Sequence, residues 1–178
     1  MKGFYELFII GLKEAYSCEN QLVKAIPKMI KHATSSKLKE ALQHHLKETK
    51  QQVKRLEQIA EELNESLSGP KNAVVFNLIK EGSRVAKYHF DPLVKDSALI
   101  GCAQQIEHYE IATYGFLKSC AKHLHLKQIE SWLDESSHEE GGANKRLTEI
   151  AEGNLFREGI NTQAYERCPS ETLKRKVG

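Results

Sequence analysis

The sequence predicts an all-α fold: a four-helix bundle with a long crossover between the second and third helices that contains a short extra helix. Three observations carry this. Four long segments repeat apolar residues at three-four spacing, the period of a helix with one face against a core. The first and last links between them are short while the middle one is long enough to travel the length of a bundle. Finally, each of the four stripes carries an acid at its mid-point, on or beside the apolar face: Glu19, Glu48, Glu107 and Glu140.

The first helix is expected over about 4 to 32, with Leu12, Ala15, Leu22, Ile26 and Met29 on one face and Glu19 filling the missing slot. Pro27 lies inside it and is expected to bend it, because its ring removes one backbone donor. Thr34, Ser35 and Ser36 mark a turn and offer an N-cap for a second helix, about 37 to 65, whose stripe Leu38, Leu42, His45, Thr49, Gln52, Leu56, Ile59, Leu63 has a polar middle. Ser66, Ser68, Gly69 and Pro70 break the pattern. A shorter amphipathic stretch follows, expected to be helical at least as far as Gly82. Asp91 before Pro92 is a helix start, a capping side chain ahead of a proline at the first helical position. The third long helix runs to about 122 with Ile100, Ala103, Glu107, Glu110, Tyr114, Leu117 and Ala121 inward. The fourth, about 126 to 152, presents Ile129, Leu133, Ser136, Glu140, Ala143, Leu147 and Ile150. One domain over 1–153 is expected, with an irregular tail over 154–178 that ends near the basic Lys174, Arg175 and Lys176.

Bulk properties narrow the function. Lys and Arg number 26 against 24 Asp and Glu, with eight His, which is not the polybasic balance that nucleic-acid binding needs. No apolar run approaches a membrane span, and Glu6 and Glu14 interrupt the N-terminal stretch where a secretion signal would be apolar, so a cytoplasmic protein is expected. Cys18, Cys102, Cys120 and Cys168 show no Cys-x-x-Cys pairing and read as buried thiols.

Burying several acids together costs far more than chance tolerates unless cations repay it, and a two-ion centre does so. Register supports the idea. If the first two helices fold back near residue 34, Glu19 lies about 15 residues from the turn and faces a position near 49, where Glu48 stands. If the last two fold back near residue 124, Glu107 and Glu110 face positions on either side of Glu140. The candidate ligands are therefore Glu19, His45, Glu48, Glu107, Glu110 and Glu140, with Asn144 one turn beyond Glu140 and Gln52 one turn beyond Glu48. Tyr16 and Tyr114 are expected in the core or beside the ligands, and His44, His108, His123 and His125 in solvent.

The run Tyr16-Ser17-Cys18-Glu19-Asn20-Gln21-Leu22 with Ala25-Ile26-Pro27-Lys28-Met29, then His45-Leu46-Lys47-Glu48-Thr49 with Gln52-Val53 and Arg55-Leu56-Glu57, resembles the YciE/YciF-type ferritin-like stress proteins, as does Glu107-His108-Tyr109-Glu110-Ile111 ahead of Tyr114-Gly115. The resemblance spans the four long helices. It implies a ferritin-like bundle, an association with bacterial stress and a di-metal layer like that of rubrerythrins. Two departures bear on the site. The Glu-x-x-His pattern common among ferritin-like proteins is missing, since Gln51 and Ala143 stand in the His positions, and Asn144 occupies a place where the family leads one to expect Asp. Gly141 and Gly142 follow Glu140 directly and invite a kink or bulge, so one metal position is expected to be weakened.

Two iron or manganese ions on these ligands would serve a ferroxidase, or an enzyme that consumes dioxygen or peroxide, including a dimanganese catalase. No rubredoxin-like Cys-x-x-Cys pair is available as an internal electron donor. The alternative is a non-enzymatic stress bundle with a degenerate or empty site. By analogy with related bundles a homodimer is expected.

Overall fold

A computed structural model describes residues 3–168. Its long helices are α1 (Phe4–His32), α2 (Ser36–Glu62), α4 (Pro92–His123) and α5 (Lys127–Glu152), with α3 (Ala73–Val85) in the crossover. The all-α bundle is as the sequence predicts. The stripes face inward as read, from Leu12, Leu22 and Ile26 on α1 to Ile129, Leu133 and Leu147 on α5, all at most 4% exposed.

The ends of the helices follow from local chemistry. Ser35 caps α2 by accepting from the Leu38 amide, Asn72 caps α3 by accepting from that of Val75, and Asp91 caps α4 by accepting from that of Leu93. Neither breaker interrupts its helix: α1 runs through Pro27 to His32, and α5 passes through Gly141 and Gly142. At Gly142 the missing side chain has another use, because a Cβ there would lie 3.2 Å from Arg146 Nη1.

Each hairpin, α1 with α2 and α4 with α5, is antiparallel. The N-terminal ends of α2 and α4 share one apolar cluster, with Leu38 and Leu42 beside Leu99, Ile100 and Ala103, so these two helices run parallel. A parallel pair needs a connection that returns along the bundle, and the segment with α3 does this, packing on α1 and α4. Buried Asn72 pins it: its amide N–H donates to Ser17 Oγ at 2.8 Å and its side chain donates to Tyr109 Oη at 2.7 Å.

Beyond α5 the tail departs from the irregular segment expected over 154–178. Gly153 takes φ +80 and opens a two-stranded hairpin, β1 (Gly153–Asn154) with β2 (Arg157–Glu158), and α6 (Ile160–Arg167) follows. Ile160 and Ala164 are buried, and the Ser97 hydroxyl donates to Asn161 Oδ1 at 2.6 Å, so α6 is docked on α4. The basic Lys174, Arg175 and Lys176 lie outside the described residues. No described helix is long and apolar enough to cross a membrane. Cys18, Cys102 and Cys120 are buried free thiols, whereas Cys168 is exposed rather than buried.

Asp96, fully buried on α4, holds the α1–α2 turn. It accepts from the Thr34 amide at 2.8 Å, the Thr34 hydroxyl at 2.6 Å and the Ser35 amide at 2.6 Å. Removing it strands two backbone donors. Asp96→Ala is expected to cost about 3 kcal/mol, since hydrogen bonds to charged groups contribute about 1.5–3 kcal/mol each, and to lower the thermal midpoint by roughly 6–12 °C in a circular-dichroism melt.

Candidate metal centre

The apolar core comes in two halves. One gathers Leu22, Ile26, Leu42, Leu99 and Leu147, the other Phe8, Leu12, Leu56, Leu117 and Leu133. Between them each long helix contributes polar side chains: Glu19 from α1, His45, Thr49 and Gln52 from α2, Glu107 and Glu110 from α4, Ser136 and Glu140 from α5. All eight are at most 5% exposed. Helical spacing on every stripe therefore puts the polar residues at one level.

Ligand atoms of His45, Glu107, Glu110 and Glu140 all lie within 4.8 Å of one another. His45 Nε2 is 3.3 Å from Glu107 Oε1, and its Nδ1 is 4.0 Å from Glu140 Oε2. Glu19 joins through Glu110, beside which it is buried, and its Oε1 accepts from the Tyr114 hydroxyl at 2.6 Å. Cys18 Sγ donates to Glu110 Oε1 at 3.5 Å.

Electrostatics makes this layer costly without a cation. Burial, followed by the charge of Glu140, pushes the carboxyls of Glu19, Glu107 and Glu110 well above the usual carboxylate range. Burial likewise raises Glu140 to about 7. His45 is driven to about 4 by burial and by the positive Arg146 nearby, so its ring is neutral at pH 7 and carries a lone pair for a metal. Three further observations test whether a metal fits. Glu19 Oε2, His45 Nδ1, Glu107 Oε2, Glu110 Oε2 and Glu140 Oε2 are buried without a hydrogen-bond partner, which native cores rarely tolerate. The donor set, carboxylate oxygens with imidazole, suits iron or manganese. Four fully buried carboxylates carry a charge that two divalent ions would cancel. The residues fit the ions.

Glu48 and Asn144 are not in the inner set. Glu48 sits at the rim, its Oε2 held by Arg146 Nη2 at 2.5 Å and by His44 Nδ1 at 3.2 Å, though still 4.0 Å from His45 Nδ1. His44 is thus exposed but engaged. Asn144 turns toward α4, where its Oδ1 accepts from Gln104 at 3.4 Å. Tyr114 lies beside the ligands as expected, but Tyr16 points outward to Glu57. His108, His123 and His125 are exposed.

Sequence reasoning missed the basic frame on the α2–α5 side. Buried Arg55 donates to Ser136 Oγ at 2.8 Å and to Glu139 at 2.9 and 3.1 Å, while Gln52 donates to both Glu139 and Glu140. Gln52 orients Glu140 directly, and Arg55 holds the neighbouring Glu139. Positions 48, 52 and 55 face 146, 140 and 136, so the pairings appear once α2 and α5 are known to be antiparallel neighbours, a relation neither hairpin reveals.

Comparison with known proteins agrees with this architecture. The family model described as a domain of unknown function, DUF892, matches residues 4–164. YciF of Escherichia coli strain K12 is 35% identical over 162 residues, 90% of this chain and 98% of that protein. The crystal structure of this E. coli stress protein superposes with a TM-score of 0.84 over 89% of this chain and all of the other. YcfI of Rhodopseudomonas palustris, 38% identical, matches with a TM-score of 0.81 over 85% of this chain and 96% of its own. A Xanthomonas campestris protein at 21% identity and a TM-score of 0.72, covering 93% of this chain and 98% of its own, shares the fold. The chain belongs to the DUF892 family, and the YciF resemblance read from its helix motifs is a family relationship.

Proposed function

We propose that this chain is a ferritin-like stress-response protein, acting in the cytoplasm, whose buried layer binds two iron or manganese ions and serves as a ferroxidase or a peroxide- or dioxygen-consuming oxidoreductase. The observation that carries the reading is the set of five partnerless buried atoms on Glu19, His45, Glu107, Glu110 and Glu140. The stress role is supported by the description of E. coli YciF as a stress protein.

His45, Glu107, Glu110 and Glu140 would hold the ions, with Glu19 beside Glu110 and Glu48 in reserve at the rim. Bound there, iron or manganese supplies one-electron chemistry toward small oxygen species. The protein's own residues set the conditions. Tyr114 keeps the Glu19 carboxylate in place, Gln52 does the same for Glu140, and Arg146 occupies Glu48. The half-core around Phe8, Leu12, Leu56, Leu117 and Leu133 closes one side of the layer with hydrocarbon.

Anaerobic loading with Fe(II) or Mn(II), desalting and metal analysis by mass spectrometry tests the centre. About two ions per chain is the expected result, and fewer than about 0.2 would overturn it. An absorbance change on adding dioxygen or peroxide supports the oxidoreductase reading. Full loading without that change favours a bundle in which the metal serves stability alone, a role consistent with the partial satisfaction of Glu140 and Glu48 by Gln52 and Arg146.

A further inference from the structure

A cavity of about 530 Å³ opens between α1, α3 and α4 and reaches inward to the metal layer. Its walls are the buried apolar side chains of Leu22, Ile26, Leu42, Leu99 and Ile106, and its floor is His45 and Glu107. The volume lies within the roughly 300–1,000 Å³ of small-molecule sites. Two neutral polar residues of the wall use their hydrogen bonds elsewhere: Gln21 donates to the Asn72 carbonyl at 3.0 Å and Ser83 to that of Ile79 at 2.8 Å. An occupant of the inner cavity therefore meets hydrocarbon until it reaches the floor. The mouth is different. Lys24, Lys28, Lys71 and Lys87 line it, all exposed, and Glu107 at the far end is the sole acid of the lining. Among the described residues none of these lysines is ion-paired with a carboxylate. Lys71 Nζ instead sits 3.5 Å from the centroid of the Phe76 ring, so apolar and cationic surface meet at the rim.

We propose that this cavity binds a long-chain aliphatic carboxylate, its chain along the Leu22, Ile26, Leu99 and Ile106 walls toward His45 and Glu107, and its carboxylate among the rim lysines. The chemistry is matched along the walls and at the mouth. An apolar cavity gains from a hydrocarbon chain in proportion to the area buried, and a basic mouth without acidic partners selects a negative head group over a neutral one. Such binding needs the cavity and the lysines, not the metal ions, and it places the far end of the chain next to the residues that would hold them.

Titration calorimetry on the full chain, metal-free and metal-loaded, with decanoate, dodecanoate, hexadecanoate and hexadecanol tests the assignment. One saturable site per chain is expected, tightening roughly tenfold to twentyfold for each two carbons buried, with hexadecanol at least about tenfold weaker than hexadecanoate. Gly82→Leu should abolish binding by filling the cavity. A Cβ at Gly82 meets nothing nearer than Cys102 Cβ at 3.6 Å, so a side chain can begin there without displacing backbone. Lys28→Glu with Lys87→Glu, both on the exposed rim, should weaken the acid about tenfold and leave hexadecanol unchanged, which a folding defect would not do. The absence of saturable binding to the wild-type chain, or equal binding of acid and alcohol, overturns the proposal. Metal content measured on the same samples separates the two readings: acid binding by protein that takes up no metal leaves the cavity assigned and the metal centre refuted, and the converse result does the opposite.

Discussion

Glu107→Gln with Glu110→Gln is expected to reduce metal uptake from about two ions per chain to fewer than about 0.2, while raising the thermal midpoint of the chelated protein at pH 8. The two changes remove half of the four-residue ligand set and two of the four fully buried carboxylates. Glutamine keeps the shape of each side chain, so neither half-core gains a hole. What it deletes is an acid that burial already holds well above the usual carboxylate range, and whose ionisation at pH 8 the metal-free fold must resist. Loss of binding together with gain of stability is the signature of a site maintained for a ligand. A purely structural pair would lose stability when altered. Mass-spectrometric metal analysis and a calorimetric melt on the same preparation read both effects, and a variant that still loads two ions refutes the ligand assignment.

The second expectation concerns pH. A carboxyl whose folded pKa is raised contributes stability that is fully present below its unfolded pKa and is lost as pH rises through the folded value. Glu140 moves from 4.5 to about 7, and Glu19, Glu107 and Glu110 shift in the same direction. His45 works in the opposite sense. Its pKa falls from 6.5 to about 4, so its contribution is present above pH 6.5 and lost as pH falls toward 4. Between pH 6.5 and 8.5 the imidazole is already neutral and only the carboxyls change. The chelated protein should therefore lose about 0.8 kcal/mol over that interval from Glu140 alone, and more from the three acids shifted further, so that it melts lower at pH 8.5 than at pH 6.5. Loaded protein should show the reverse trend, because metal and protons compete for the same oxygens and higher pH favours the metal. A chelated sample that melts no lower at pH 8.5 than at pH 6.5 would count against protonated, buried carboxyls.

Much of this was legible in the chain because helical periodicity is strong where stripes are long. Glu19, Glu107, Glu110 and Glu140 stood out as acids on lines of Leu, Ile and Ala, and hairpin register set their common level. Register fixes height along a bundle, not direction around a helix. That is why Glu48, three residues from His45, falls to the rim, where Arg146 takes it, and why Asn144 turns to Gln104. Arg55 and Arg146 were invisible for a related reason, since their partners lie on a helix that neither tight turn brings alongside. The docked α6 carries two buried residues, Ile160 and Ala164, too few to make a pattern, and its position comes from contacts with α4 that only the folded chain supplies.

The division of the core into two apolar halves has a mechanical meaning. Helix bundles ordinarily fray from their tips inward, because the middle is where packing is deepest. Here the tips are the well-anchored parts: Asp96 ties one end, Phe8 and Leu117 fill the other, and the acids that burial keeps protonated gather at the waist with oxygens left unpartnered. The waist is thus the least favourable zone of the fold, and an ion held by His45, Glu107, Glu110 and Glu140 would pin α2, α4 and α5 together there. Rigidity at the waist would then be supplied by the ion, not by packing.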